Sequence, residues 1–204
     1  EALGGSRPLA LRAGTAVELY HTYTLVHDDV IDRDPLRRGN PSVHTLLAAA
    51  GREAYALPDA EADHYGLSMA ILAGDALQAW AIDLLASCAE HGADPRITLQ
   101  LVRRLQGVVG PAIVEGEARD IQLPFLPVGE VSERAILRVI LTKTAALFTY
   151  CAWAGGLLAC GCDNDQVRAL VTFAEHAGVA FQLQDDVLGL TADESTLGKP
   201  VGSD

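Results

Sequence analysis

Two clusters of aspartate interrupt stretches that are otherwise apolar. The first is Asp28, Asp29 and Asp32 in Leu25-Val-His-Asp-Asp-Val-Ile-Asp. On a helix advancing about 100° per residue, Asp32 lies about 40° from Asp28 and Asp29 about 100°, so all three share a face. Carboxylates this close repel unless a cation sits among them. Mg2+ suits such a place, because it takes one or two protein carboxylates and completes its octahedron with water and phosphate oxygens. The second cluster is Asp185 and Asp186 in Phe181-Gln-Leu-Gln-Asp-Asp-Val-Leu-Gly, with Gln182 about one turn earlier on the same face. A single aspartate pair is more often a solvated acidic face. Two pairs, each breaking an apolar helix, argue for a site.

Positive groups stand nearby in the sequence. Arg37-Arg38-Gly39 follows Asp32 after a break. Planar guanidinium groups bind phosphate oxygens in pairs, which lysine does less well. Lys143 heads an apolar helix, and Lys199 lies in Gly198-Lys-Pro. Each alone is an ordinary surface cation; their company with the aspartates gives them weight. His27-Asp28 imitates a metal phosphohydrolase dyad, with His21 as a partner. That reading leaves Asp29, Asp32 and the arginine pair unexplained, so both histidines are read as packing or hydrogen-bonding residues.

The elements that must hold these groups are helices. The pattern predicts a long helix over 10–33, stopped by Pro35, and a loop over 34–42 rich in Pro and Gly. Further helices are expected over 43–55 and 67–89. Asp94-Pro95 opens another as N-cap and first-turn proline, running towards Ile121 with a kink at Gly110-Pro111. After a proline loop at 123–129, a helix is expected over 132–159, ended by Gly161. Asp163 is the expected cap of the last, which runs to about 190, with a loop-like tail over 191–204. No alternating pattern argues for a sheet. The fold class is all-α, an antiparallel helical bundle.

Composition narrows the partners. The chain has 204 residues, half of them hydrophobic, and a net charge of −12. Such a surface repels nucleic acid and anionic lipid, so neither is an expected partner. An anionic substrate would need local Arg, Lys or bound metal. The four cysteines fit no zinc spacing and read as reduced thiols of a cytoplasmic protein. The segment 144–162 carries no charge over a length that spans a bilayer, but its Thr, Tyr and Gly content fits a central bundle helix, so no stable membrane insertion is expected.

His27-Asp-Asp-Val-Ile-Asp followed by Leu36-Arg-Arg-Gly resembles the first aspartate-rich motif of the polyprenyl (isoprenyl) diphosphate synthases. Phe181-Gln-Leu-Gln-Asp-Asp with Gly198-Lys-Pro downstream resembles the second. Ser68-Met-Ala-Ile-Leu-Ala-Gly-Asp and Leu141-Thr-Lys-Thr144 also look familial, and the wording is most similar to bacterial geranylgeranyl diphosphate synthases. The resemblance covers almost the whole chain. It implies an isoprenoid synthase bundle with a central cavity, and a Mg2+-dependent trans-prenyltransferase joining isopentenyl diphosphate to an allylic diphosphate. It implies that Asp28, Asp32 and Asp185 ligate Mg2+, about three ions per site, with Asp29 and Asp186 as ligands or supports. Arg37, Lys143, Thr144, Gln182 and Lys199 would surround the allylic diphosphate, and Arg38 would reach towards isopentenyl diphosphate. A homodimer is the implied assembly.

Product length is expected to depend on Tyr23, five residues before Asp28 and so about 7.5 Å along the axis, with Tyr20 one turn deeper. A bulky ring there acts as a floor for the growing tail; the resemblance implies geranylgeranyl product. Three departures stand out. Gly189 occupies the usual place of a third aspartate, with Asp193 one turn on. Glu117 stands where glutamine is common. An upstream Gly-Lys and Arg-Pro segment and the final helices are missing, so 1–204 is expected to be a single domain incomplete at both ends. Two alternatives remain open: a class I terpene cyclase, whose second metal motif Gly189 and Asp193 fail to match, and a non-catalytic regulatory subunit of a prenyl synthase.

Overall fold

The computed structural model describes residues 2–191; Asp193, Lys199 and the rest of the expected tail from 192 onwards lie outside them. Two compact units are formed. One comprises residues up to Thr15 together with Asp83–Asp185, the other Ala16–Ile82 and the described residues from Asp186.

In the second of these units, helix α1 (Arg7–Ile31) continues from Ala16 with Ala16, Tyr20, Tyr23 and Val26 buried along one face, the three- and four-residue spacing of an amphipathic helix. It ends with Arg33 at φ 61. The segment expected as plain loop holds a short antiparallel pair, β1 (Leu36–Arg37) with β2 (Asn40–Pro41), in the register Leu36↔Pro41 and Arg37↔Asn40. Arg38 at φ 52 and Gly39 at φ 74 make the two-residue turn. Both positive values match the primed hairpin turn, whose twist suits flanking strands. Helix α2 (Val43–Tyr55) keeps its expected bounds, and Ala56 closes it in the left-handed region. Helix α3 (Asp59–Ala86) begins eight residues before the expected start. At Gly66 an added Cβ would strike the His44 carbonyl and the Ala48 backbone nitrogen of α2, so only glycine permits that approach.

In the first unit, helix α4 (Pro95–Arg104) starts as expected: Asp94 accepts from the Arg96 backbone N–H at 2.7 Å and Pro95 follows. A π-helical turn, Leu105–Val109, then leads into α5 (Gly110–Gln122). Pro111 lacks the N–H of a regular turn and its ring crowds the preceding one, and the chain accommodates this by widening just upstream. Helix α6 (Glu133–Val139) is capped by Ser132, whose hydroxyl accepts from the Ala135 N–H. A second π-helical turn, Ile140–Ala145, separates it from α7 (Ala146–Cys160), which Gly161 terminates at φ 73. Helix α8 (Asp165–Thr191) is capped by the Asn164 side chain, not the expected Asp163.

Helix α7 buries Tyr150, Trp153, Ala154, Gly156 and Leu157. The Tyr150 hydroxyl donates to the Leu101 carbonyl at 3.1 Å, and the Arg104 guanidinium lies 4.3 Å from the Trp153 ring centroid. The charge-free stretch at 144–162 thus packs as a bundle helix. By length and composition alone, Asp59–His91 and Glu133–Cys160 would each suffice to cross a membrane.

Candidate active site

The first aspartate cluster sits at the C-terminal end of α1. Asp28 and Asp29 occupy its last turn, and Asp32 lies just beyond, its N–H still bonded to the Asp28 carbonyl at 2.8 Å. The hairpin brings Arg37 back onto this end. Arg37 Nε donates to Asp29 Oδ1 at 2.6 Å and its Nη2 to Asp28 Oδ2 at 2.9 Å. One guanidinium fork thereby spans two adjacent carboxylates, a match that an ammonium lacks. Asp29 is 2 % exposed. Its burial pushes the carboxyl above the usual range, while Arg37 pulls it back.

Asp29 is therefore enclosed, whereas Asp28, which shares the Arg37 fork, is half-buried and Asp32 is exposed. Two accessible carboxylates one helical turn apart are hard oxygen donors of the kind Mg2+ takes, with room for water and phosphate oxygens. The residues of the cluster fit that ion. Arg38 is exposed at the turn of the hairpin.

Further up α1, Tyr20 and Tyr23 are both buried and meet edge to face, with ring centroids 4.7 Å apart. Tyr23 in turn meets His27 at 5.5 Å. His27 Nε2 lies 3.0 Å from the Ile71 carbonyl, and its ring packs where Gly74 of α3 leaves no side chain. His21 is half-buried, and desolvation holds its imidazole below the usual range. His27 thus packs against α3 and hydrogen-bonds to it.

Lys143, Thr144, Gln182 and Asp185 belong to the other unit, whereas Asp186 and Gly189 are grouped with the unit of the first cluster. Lys143 and Thr144 lie on the π-helical turn between α6 and α7. Helix α5 presses against that turn at Gly116, where an added Cβ would stand 2.5 Å from the Lys143 nitrogen. Lys143 Nζ lies 2.9 Å from Glu117 Oε2 and 2.6 Å from Asp120 Oδ2. In the sequence Glu117 stands out only as a departure from the common glutamine, and Asp120 does not stand out at all. The signal available was Gly116-Glu-Ala-Arg-Asp on a helix, which puts positions 117 and 120 on one face. Thr144 donates to Gln182 Oε1 at 2.7 Å, joining the π turn to α8. Asp185, exposed, and Asp186, half-buried, follow Gln182 on α8; Gly189 is one turn beyond Asp185.

The whole sequence, residues 1–204, matches the polyprenyl synthetase family. A geranylgeranyl diphosphate synthase of Sulfolobus acidocaldarius is 41% identical over 201 residues, 98% of this chain and 54% of that protein. A farnesyl diphosphate synthase of Geobacillus stearothermophilus is 36% identical over 207 residues, covering 100% of this chain and 62% of the relative. Among solved structures, a geranylgeranyl pyrophosphate synthase from Corynebacterium glutamicum, complexed with isoprenyl diphosphate and magnesium, superposes with a TM-score of 0.84 at 31% identity. That match covers 98% of this chain and 54% of the other. The chain thus spans about half the length of most of the relatives it matches, and the all-α fold is theirs. It belongs to the polyprenyl synthetase family.

Proposed function

We propose that this protein is a trans-prenyltransferase that condenses isopentenyl diphosphate with an allylic diphosphate, with geranylgeranyl diphosphate as its product. The observation that carries the reading is the Arg37 fork over Asp28 and Asp29, which sets a fixed cation beside the accessible carboxylates of Asp28 and Asp32. A diphosphate needs that alternation of charge: carboxylates to hold a divalent ion and a guanidinium to take phosphate oxygens.

Asp28, Asp32 and Asp185 would hold Mg2+, about three ions per site, with Asp29 and Asp186 in support. When bound, the metal supplies positive charge that stabilises the departing diphosphate. Arg37, Lys143 and Gln182 orient the allylic diphosphate, and their charge and hydrogen bonds favour its departure. Thr144 fixes the Gln182 amide by its hydrogen bond. Lys199 adds a cation to the same group, and Arg38 serves isopentenyl diphosphate. The double bond of isopentenyl diphosphate then attacks the allylic carbon, and a proton leaves to the released diphosphate. Tyr23, backed by Tyr20, forms the floor that limits chain length.

A cytoplasmic homodimer is the proposed state of the protein. All four cysteines are free thiols, which accords with a reducing compartment. Size-exclusion chromatography with light scattering tests the dimer. The reaction is tested by incubating the full chain with farnesyl diphosphate and labelled isopentenyl diphosphate, with Mg2+ or with EDTA. Conversion of the allylic diphosphate to hydrocarbon or alcohol without elongation would instead favour a cyclase.

A further inference from the structure

The geometry points to His27 as a positioning residue: pinned in a slot on α3, it holds the acidic end of α1 in the setting that presents Asp28 and Asp32 to a divalent ion. The inference rests on the reading that these two carboxylates bind the ion, and it concerns one unit of the chain alone.

The end of α1 is poorly held by its own chemistry. Asp28 and Asp29 lie in its last turn and no basic residue does, so carboxylates crowd the negative end of the helix dipole. The last carbonyls of a helix also lack partners within it, and such ends fray. Arg37 secures this end from the hairpin, through Asp29 and Asp28. His27 secures it from α3. A carbonyl only accepts, so the 3.0 Å contact with Ile71 makes His27 Nε2 the donor. The ring fits there because residue 74 is glycine: an added Cβ would fall on the ring nitrogen and Cδ2 and stand 3.1 Å from Cε1. Tyr23, one turn back on α1, meets the imidazole edge to face at 5.5 Å. Asp75 Oδ1 lies 3.9 Å from Nε2, beyond hydrogen-bond range, and adds a weak attraction for the N–H. His27 directly precedes Asp28. Fixing its ring against α3 therefore fixes the rotation of the α1 end about its own axis, and with it the direction in which Asp28 and Asp32 project. The Gly74-Asp75 pair that closes the Ser68-Met-Ala-Ile-Leu-Ala-Gly-Asp motif thereby acquires a role, as the receptacle for His27.

The test compares the full chain with His27→Leu, which keeps bulk but loses the donor, and His27→Gln, whose amide N–H has comparable reach. Hydrogen exchange in EDTA reads the pin without metal or turnover. Amides of residues 28–32 should exchange roughly 3- to 10-fold faster in His27→Leu, the worth of one partly exposed hydrogen bond, while those in the middle of α1 keep their rates. Mn2+, a hard octahedral ion like Mg2+, is then titrated, and the free ion is read by electron paramagnetic resonance. His27→Leu should bind it roughly 3- to 10-fold more weakly, and His27→Gln should restore both readings towards wild type. Unchanged exchange or unchanged Mn2+ affinity in His27→Leu overturns the role, as does an equal loss in His27→Gln. Asp28→Asn separates this inference from the reading beneath it. If that variant leaves Mn2+ binding unaltered, the carboxylates do not hold the ion and the metal reading fails. A loss in Asp28→Asn beside none in His27→Leu refutes the positioning role alone.

Discussion

Arg37 Nε lies 2.6 Å from Oδ1 of Asp29, a carboxylate 2 % exposed to solvent. This pair ties the hairpin at 36–41 to the end of α1, and it carries a stability prediction. Removing one partner of an enclosed ion pair leaves the other charged and unpaired, which costs about 3–5 kcal/mol when both are fully buried. Arg37 is partly exposed, so Arg37→Gln should cost about 2–3 kcal/mol. Urea unfolding reads this directly. The double variant Arg37→Gln/Asp29→Asn should lose less than the sum of the two single losses. Simple additivity would show that the pair is not coupled.

Glycine provides a paired test in the other unit. A Cβ at Gly116 meets backbone atoms of Lys143, which no rotamer change can move aside, whereas a Cβ at Gly155 on α7 meets nothing within 4 Å. Gly116→Ala should destabilise by about 2–4 kcal/mol through overpacking and backbone displacement. Gly155→Ala should stabilise by about 0.5–1 kcal/mol through helix propensity. Thermal melts of the two variants should shift in opposite directions.

Much of this was legible in the sequence. Helix α2 and the Asp94-Pro95 start of α4 followed from local signals that act within a turn or two: a proline stop, a cap and a run of helix formers. The early start of α3 was missed because the stretch around Pro58 is polar and reads as a connection, although Asp59 and Glu61 are favourable in a first helical turn. The hairpin escaped notice because four paired residues are too few to show alternation; only the Arg38-Gly39 turn signalled it. The π turn at 140–145 depends on packing against Gly116 and leaves no periodic trace, whereas the one at 105–109 falls beside the Gly110-Pro111 kink signalled by the sequence. Among site residues, the aspartates and Arg37 stood out by type and spacing. The Lys143 partnership with Glu117 and Asp120 joins helices distant in sequence, which no local pattern specifies.

Chain length tests the role of the tyrosine pair. Tyr20 and Tyr23 stack edge to face in the interior of α1. Tyr23→Ala should lengthen the longest major product, and Tyr20→Ala should extend it further only when Tyr23 is already removed. Sizing extracted products by chromatography decides this. An unchanged distribution in Tyr23→Ala would exclude the floor.

His21 gives a pH dependence whose sign is fixed. Desolvation first, aided by Arg38 and Arg37 and opposed chiefly by Glu18, lowers its folded-state pKa below the ordinary imidazole value. The unfolded chain therefore binds a proton that the folded chain resists, and stability falls as pH drops below about 6.5. Above that value the imidazole is neutral in both states and contributes nothing to the slope. Denaturation midpoints of the wild type should decline between pH 7.5 and 5.5 more steeply than those of His21→Gln. Identical slopes would show that His21 takes its proton as readily folded as unfolded.

The most direct test of the central claim is prenyl elongation by the full chain. Labelled isopentenyl diphosphate and farnesyl diphosphate would be supplied with Mg2+, and a parallel reaction with EDTA. The account predicts label in geranylgeranyl diphosphate as the longest major product, abolished by EDTA and reduced at least about 100-fold in Asp28→Asn. A folded protein that incorporates no label, or incorporates it equally in EDTA, would contradict the account.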